Sequence, residues 1–101
     1  AHAANETDLR LSTPEQITLR PPFPNPAQQR ATLHFGLSEA TEVHISVYDL
    51  LGRSVQTLAG GRFEAGRHRR QLSTSGLAPG VYFVRMRAGG TTRTRKLTVI
   101  R

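Results

Sequence analysis

Apolar residues recur at every second position in two neighbouring segments of the chain, residues 32–37 and 43–48. This period of two is typical of a β-strand that buries one face. The polar link between the segments, residues 38–42, is short enough for the two strands to pair. The side chains expected to face the core are Leu33, Phe35, Leu37, Val43, Ile45 and Val47, and those expected to face outward are Thr32, His34, Gly36, His44, Ser46 and Tyr48.

The same pattern returns later in the chain. Residues 53–58 and 67–72 are predicted strands, as is the segment that begins at Val81. In the last of these, Tyr82, Val84 and Met86 share one face, and the arginines between them lie on the other. Leu97 and Val99 share a face of the final predicted strand.

Glycine-containing turns separate these strands. Asp49-Leu50-Leu51-Gly52 has the residues of a type I turn, and Pro79-Gly80 suits the two central positions of a type II turn. Gly60-Gly61 and Gly89-Gly90 predict two further reversals. About seven short strands with frequent turns and no helical period predict an all-β fold, an antiparallel Ig-like β-sandwich.

The first part of the chain is different. Residues 1–13 are polar and lack periodicity, so they are predicted to be a linker from an upstream domain, with the sandwich spanning residues 14–101. Pro14 is tolerated at the start of a single helical turn, and Ile17 and Leu19 then alternate as a short strand. Four prolines between residues 21 and 29 remove backbone donors, so this segment is expected to be an extended crossing or an edge.

The length and composition of the chain limit the number of domains and the kinds of site that it can contain. A chain of 101 residues forms one domain, and the absence of cysteine excludes disulfides and thiolate metal sites. No apolar run is long enough to cross a bilayer, and the first residues lack the basic and apolar regions of a signal peptide. We therefore expect the chain to be cut from a longer polypeptide, with the main activity upstream.

Positive charge is concentrated in the last third of the chain. Nine of the 14 basic residues lie from Arg67 onward, whereas all seven acidic residues precede Arg67. This distribution fits either an acidic partner or the solvated face of an antiparallel sheet. No aromatic residues are interleaved with these arginines as stacking platforms, so nucleic acid is not an expected partner.

The sequence predicts no catalytic residue, metal site or cofactor. No two acidic residues are placed for acid and base catalysis on one substrate, and Ser73 and Ser75 flank a turn without a nucleophile-elbow pattern. His34 and His44 could approach each other if their strands paired, with His68 less clearly placed. Exposed histidines without a nearby carboxylate are more typical of a surface than of a metal site.

Five segments together resemble a known family. PFPNPAQQRATLHFGL, VHISVYDLLGRSVQTL, EAGRH, SGLAPGVYFVRM and RKLTVIR are similar, in order and spacing, to the type A C-terminal sorting domain of the type IX secretion system. The resemblance runs from about Thr13 to Arg101. It implies a folded β-sandwich that the type IX translocon in the outer membrane recognises, and that a cell-surface sortase then removes. The covalently linked cargo would pass through the periplasm to the cell surface or the medium.

The resemblance also implies which residues the translocon recognises. The Pro-Asn-Pro motif falls on Pro24, Asn25 and Pro26, and the Gly-x-Tyr motif on Gly80 and Tyr82. The basic terminal motif falls on Lys96, Leu97, Thr98, Val99, Ile100 and Arg101. A purely structural role for the first two motifs is the alternative. If the final strand lies at a sheet edge, a receptor could capture its unpaired backbone by strand addition. Cleavage is expected within residues 1–16, and no membrane insertion of the domain itself is expected.

Two other functions remain open. The domain could be a carbohydrate-binding or surface-adhesion module appended to a secreted enzyme, although the lack of tryptophan makes an aromatic sugar platform hard to build. It could also be a structural spacer that resembles the sandwich of a flagellar hook cap. A shared fold does not separate these functions.

Overall fold

The computed structural model describes residues 16–101, and this part of the chain consists of strands and loops without a helix. Seven strands follow one another: β1 (Thr18–Leu19), β2 (Arg30–Leu37), β3 (Thr41–Tyr48), β4 (Ser54–Phe63), β5 (Gly66–Ser73), β6 (Gly80–Ala88) and β7 (Thr91–Val99). They form one three-stranded sheet, in the order β1-β2-β5, and one four-stranded sheet, in the order β4-β3-β6-β7. All strand pairs are antiparallel. The predicted all-β sandwich is confirmed.

The core lies between the two sheets. It consists mainly of the side chains at every second position of the central strands. This alternation is the reason that these segments form strands, since each can bury one apolar face and leave the other to water. The predicted inward residues are all buried: Leu33, Phe35, Leu37, Val43, Ile45, Val47, Tyr82, Val84, Met86, Leu97 and Val99.

The link at residues 38–40 carries the chain from one sheet to the other. β2 pairs with β1 and β5, whereas β3 pairs with β4 and β6. The two strands therefore do not pair with each other, which the short link between them had left open. His34 and His44 are exposed on different sheets and do not form a common site. Alternation specifies which face a strand buries, but it contains no information about the strand's neighbour.

Gly60 and Gly61 lie inside β4, so the predicted reversal at this position is wrong. They pair with His44 and Val43, and the chain turns only at Glu64 and Ala65. A ladder of backbone hydrogen bonds does not require side chains, and β3 holds the diglycine in register on one side. The register of this strand pair shifts between Ile45 and Ser46.

The other predicted turns differ in outcome. The Gly52 amide donates to the Asp49 carbonyl at 3.0 Å, and Gly89 and Gly90 form the turn between β6 and β7. The predicted type II turn at Pro79-Gly80 does not form in the loop between β5 and β6. Gly80 already belongs to β6 and has a φ of 153°. The tight turn lies earlier, where the Leu77 amide donates to the Thr74 carbonyl at 3.0 Å.

Several sequence expectations lie outside the described residues, namely the linker over residues 1–13 and the helical turn near Pro14. Within residues 16–101, no helix has the length and apolarity needed to cross a membrane.

Candidate recognition surface

The segment that contains Pro24, Asn25 and Pro26 crosses the open end of the sandwich and lies against β7. Pro24 and Pro26 have no backbone N–H, so the Asn25 side chain supplies the pairing groups instead. Its amide nitrogen donates to the Lys96 carbonyl at 3.1 Å, and its oxygen accepts from the Thr98 amide at 3.0 Å. The Asn25 carboxamide thus occupies the position that a peptide group of a neighbouring strand would occupy.

Ala27 continues this contact through its main chain. Its amide donates to the Thr98 carbonyl at 2.8 Å, and its carbonyl accepts from the Ile100 amide at 2.9 Å. These bonds form a parallel bridge between Ala27 and Val99, and Ala27 is fully buried. Ala27 is part of the close-packed core, where a larger side chain at this position would have to displace its neighbours.

β7 is an edge strand of its sheet, which is the condition for strand addition, but its C-terminal half is already covered. Asn25 and Ala27 occupy the outward backbone groups from Lys96 to Ile100. Addition of a receptor strand along this half, which the sequence suggested, is therefore excluded while the crossing is in place. Within the described chain, no strand pairs with the outer edge of β7 at Thr92 and Thr94.

Inward-directed arginines protect this open half of β7. Arg93 and Arg95 pair with the buried residues Met86 and Val84, so they lie on the core side of the strand. The Arg95 guanidinium reaches the other sheet, where Nε donates to the Leu19 carbonyl at 2.7 Å. An inward-pointing charge on an edge strand disfavours pairing with another chain.

Gly80 and Tyr82 begin β6 beside the end of β7. Gly80 pairs with Val99, and its φ of 153° lies in a region that favours glycine. The Tyr82 ring is buried in the core, and its hydroxyl donates to the Ala78 carbonyl at 2.6 Å. This bond ties the start of β6 to the loop before it, in the manner of the tyrosine corner of Ig-like sandwiches.

Arg101 fastens the end of the chain to the turn between β5 and β6. Its Nη2 donates to the Thr74 carbonyl at 3.2 Å and to the Leu77 carbonyl. Thr74 is buried and is hydrogen-bonded to the loop before β2. Its amide donates to the Gln29 carbonyl, and its hydroxyl donates to the Gln28 carbonyl. A groove of about 530 Å³ lies beside Arg101 and is lined mainly by polar residues.

The three motifs implied by the resemblance therefore meet at one end of the sandwich, which we call the terminal surface. Its exposed members are Pro24, Asn25, Pro26, Gly80, Lys96, Ile100 and Arg101, with Thr98 half-buried. Tyr82, Leu97 and Val99 belong to the core. Ala27, Thr74 and Leu77 also hold this surface together, although they were not among the residues predicted from the sequence. A small residue directly after Pro-Asn-Pro was the one available signal for Ala27.

The remaining polar clusters contain little that could perform chemistry. The Ser73 and Ser75 hydroxyls bond each other at 2.9 Å, as expected for turn residues. Among residues 16–101, no group of three histidine, cysteine or acidic side chains is placed to hold a metal ion. His68 bonds the Glu64 carbonyl at 2.8 Å and stacks on Phe35 at a centroid distance of 5.3 Å. It therefore closes one side of the sandwich.

A comparison with protein families finds one described as a secretion system C-terminal sorting domain, whose model matches residues 22–100. No curated protein matches the chain. The matched range includes the six strands from β2 to β7. It also contains the Pro-Asn-Pro crossing and the Gly-x-Tyr motif at the start of β6. The chain belongs to the family of type IX secretion C-terminal sorting domains.

Proposed function

We propose that this domain is a non-catalytic secretion signal that the type IX outer-membrane translocon recognises in its folded form. It directs a covalently linked upstream cargo from the periplasm through the outer membrane. A cell-surface sortase then cleaves the chain within residues 1–16, and the cargo is retained at the surface or released. Family membership supports a sorting signal, and the geometry of the terminal surface supports recognition of the folded state.

The observation that carries this proposal is the clamp of Asn25 and Ala27 on β7. Four hydrogen bonds, two from Asn25 and two from Ala27 directly after the Pro-Asn-Pro motif, join this segment to the basic terminal motif about 70 positions away in the chain. An unfolded C-terminal peptide contains the basic motif but cannot reproduce this arrangement. The translocon therefore has a surface to recognise that exists only in the folded sandwich.

The motif residues divide into two roles under this proposal. Pro24, Pro26, Lys96 and Ile100 are exposed and contact the translocon. The buried side chains of Tyr82, Leu97 and Val99 hold the surface in shape, together with Gly80 at the start of β6 and Asn25 on the backbone of β7. Substitution in the first group should impair export without unfolding the domain, whereas substitution in the second should lower stability.

An export assay tests the proposal. Residues 1–101 are fused behind a periplasmic reporter, and the surface and culture fractions are compared in hosts with and without a functional type IX system. Deletion of residues 96–101 should abolish export while the reporter still folds. The double variant Lys96→Gln, Ile100→Ser should reduce export at unchanged thermal stability, and Arg87→Gln, on the outer face of β6, serves as the matched control. Normal surface delivery of the truncated fusion would refute the proposal.

A carbohydrate-binding module is the alternative function. One observation favours it, since Phe23 is an aromatic side chain with 75 % exposure. Retention of the isolated domain on polysaccharide columns, together with export that does not depend on residues 96–101, would support this alternative.

A further inference from the structure

The outward face of the three-stranded sheet is rich in arginine. Arg20 lies next to His34, since the Arg20 amide donates to the His34 carbonyl at 2.9 Å. His34 in turn pairs with Arg69 on β5. These three exposed side chains form a row across the sheet, and Arg30 lies further along β2 on the same face. Neighbouring strands are about 4.8 Å apart, so the guanidinium groups form a two-dimensional array.

Within residues 16–101, no acidic side chain lies on the three strands that carry this array. The three strands of the sheet have the sequences TL, RATLHFGL and GRHRRQLS, none of which contains aspartate or glutamate. The neutral residues on the face include the hydrogen-bonding side chains of Thr18, Thr32 and Gln71. A groove of about 420 Å³ is lined by Thr32, Arg69, Arg70 and Gln71; of these, Thr32, Arg69 and Gln71 lie on this face and supply donors suited to a phosphate ester.

An exposed aromatic ring lies on the same face. Phe23 pairs with Thr32 through two backbone bonds, of 3.0 Å and 2.7 Å. Residues directly opposite each other on neighbouring strands share a face, so Phe23 lies on the side of Thr32 and Gln71. Its 75 % exposure leaves a large apolar surface beside the arginine array without a partner in the described chain.

We propose that this face, formed by Arg20, Arg30 and Arg69 with Phe23, binds the surface of an anionic lipid bilayer. The cations carried side by side on three strands can face a surface of phosphate headgroups, and the single ring can enter the boundary between headgroups and acyl chains. A nucleic acid would need several stacking rings, and a protein interface would need an apolar centre; the face has one ring at its edge. The domain lies on the membrane and does not span it. This inference is independent of the proposed recognition of the terminal surface.

Vesicle binding tests the proposal directly. The full chain is mixed with phosphatidylcholine vesicles that contain 0 or 40 % phosphatidylglycerol, and bound protein is separated by flotation. We expect binding to the anionic vesicles alone, and weaker binding as NaCl is raised from about 0.05 to 0.5 M. The double variant Arg20→Gln, Arg69→Gln should partition about 30-fold less, because each arginine near an anionic surface contributes about a factor of five. The matched control is Arg85→Gln, Arg87→Gln, which removes the same charge from the outer face of the other sheet.

A fluorescence experiment locates the contact. The chain contains no tryptophan, so Phe23→Trp introduces a single reporter. Its emission should shift to shorter wavelength with anionic vesicles, and brominated acyl chains should quench it. Leu51→Trp places the control on another exposed apolar residue, at the turn between β3 and β4, and should not respond. Absence of vesicle binding, equal losses in both double variants, or binding to heparin without binding to vesicles would overturn the proposal.

Discussion

The side-chain oxygen of Asn25 accepts a hydrogen bond from the backbone amide of Thr98 at 3.0 Å. The same carboxamide donates to the Lys96 carbonyl, so one side chain satisfies two backbone groups of β7. Asn25→Ala removes both bonds and should destabilise the domain by about 1–2 kcal/mol. It should also raise the hydrogen-exchange rate of the Thr98 amide, which NMR measures residue by residue.

The variant Asn25→Asp tests the two hydrogen bonds of Asn25 individually. Aspartate still accepts from the Thr98 amide but cannot donate to the Lys96 carbonyl. Thr98 should therefore keep more of its protection in this variant than in Asn25→Ala. Equal protection of Thr98 in all three proteins would show that the side chain does not hold β7.

Removal of the Tyr82 hydroxyl should also lower the stability of the domain. Tyr82→Phe leaves the ring in the core and removes the bond to the Ala78 carbonyl, at an expected cost of about 1–2 kcal/mol in the free energy of unfolding. Tyr48→Phe is the control, because this half-buried ring keeps its contact with Arg85 and should change stability by less than about 0.5 kcal/mol. Urea denaturation measures both values, and similar losses in the two variants would contradict the prediction.

Two glycines in neighbouring parts of the chain should respond oppositely to alanine. Neither position has an atom within 4 Å of an added Cβ, so backbone conformation decides the result. Gly80 has a φ of 153°, and Gly80→Ala should destabilise the domain by about 1 kcal/mol or more. Gly76 does not have a positive φ, and Gly76→Ala should be neutral or stabilising by up to about 1 kcal/mol. Thermal unfolding of the two variants checks the contrast, and a tolerated Gly80→Ala would refute the conformational explanation.

Asp49 gives the domain a pH-dependent contribution to stability. The pKa of the Asp49 carboxyl is lower than its ordinary value of 3.8, mainly because the Arg53 amide donates a hydrogen bond to Oδ1. Hydrogen bonds from the Arg53 guanidinium and the Leu51 amide lower this pKa further. A carboxyl whose pKa is lower in the folded state stabilises the fold above its unfolded pKa, and this contribution disappears as the pH falls through the folded value. The difference in unfolding free energy between the native protein and Asp49→Asn should thus be largest above about pH 5 and shrink below pH 3.8. Urea titrations across this range measure it, and a constant difference would exclude the linkage.

The alternation of apolar residues predicted the fold class and the inward side chains, because burial of one strand face is a local property of the sequence. It did not predict strand partners. The link after Leu37 allows either a hairpin or a crossing between sheets, and only packing of the whole core decides between them. Gly60-Gly61 was misplaced for a similar reason, since β3 supplies the hydrogen bonds that keep the diglycine extended.

The terminal surface was predictable in its members and not in its geometry. Four prolines indicated an extended crossing, but nothing near Asn25 in the sequence indicates that its side chain bonds Lys96 and Thr98. The roles of Thr74 and Ala27 also depend on contacts across the chain. Long-range hydrogen bonds of this kind do not produce a local sequence pattern.

The clamp on β7 also has a consequence for timing. Asn25 leaves the ribosome long before Thr98, and the bonds between them cannot form until synthesis has passed residue 100. A prematurely terminated polypeptide lacks β7 and leaves the Pro-Asn-Pro segment without its partner strand. Recognition of this surface would thus admit only molecules whose synthesis has passed Ile100, so the sorting label would also act as a check that β7 has been made.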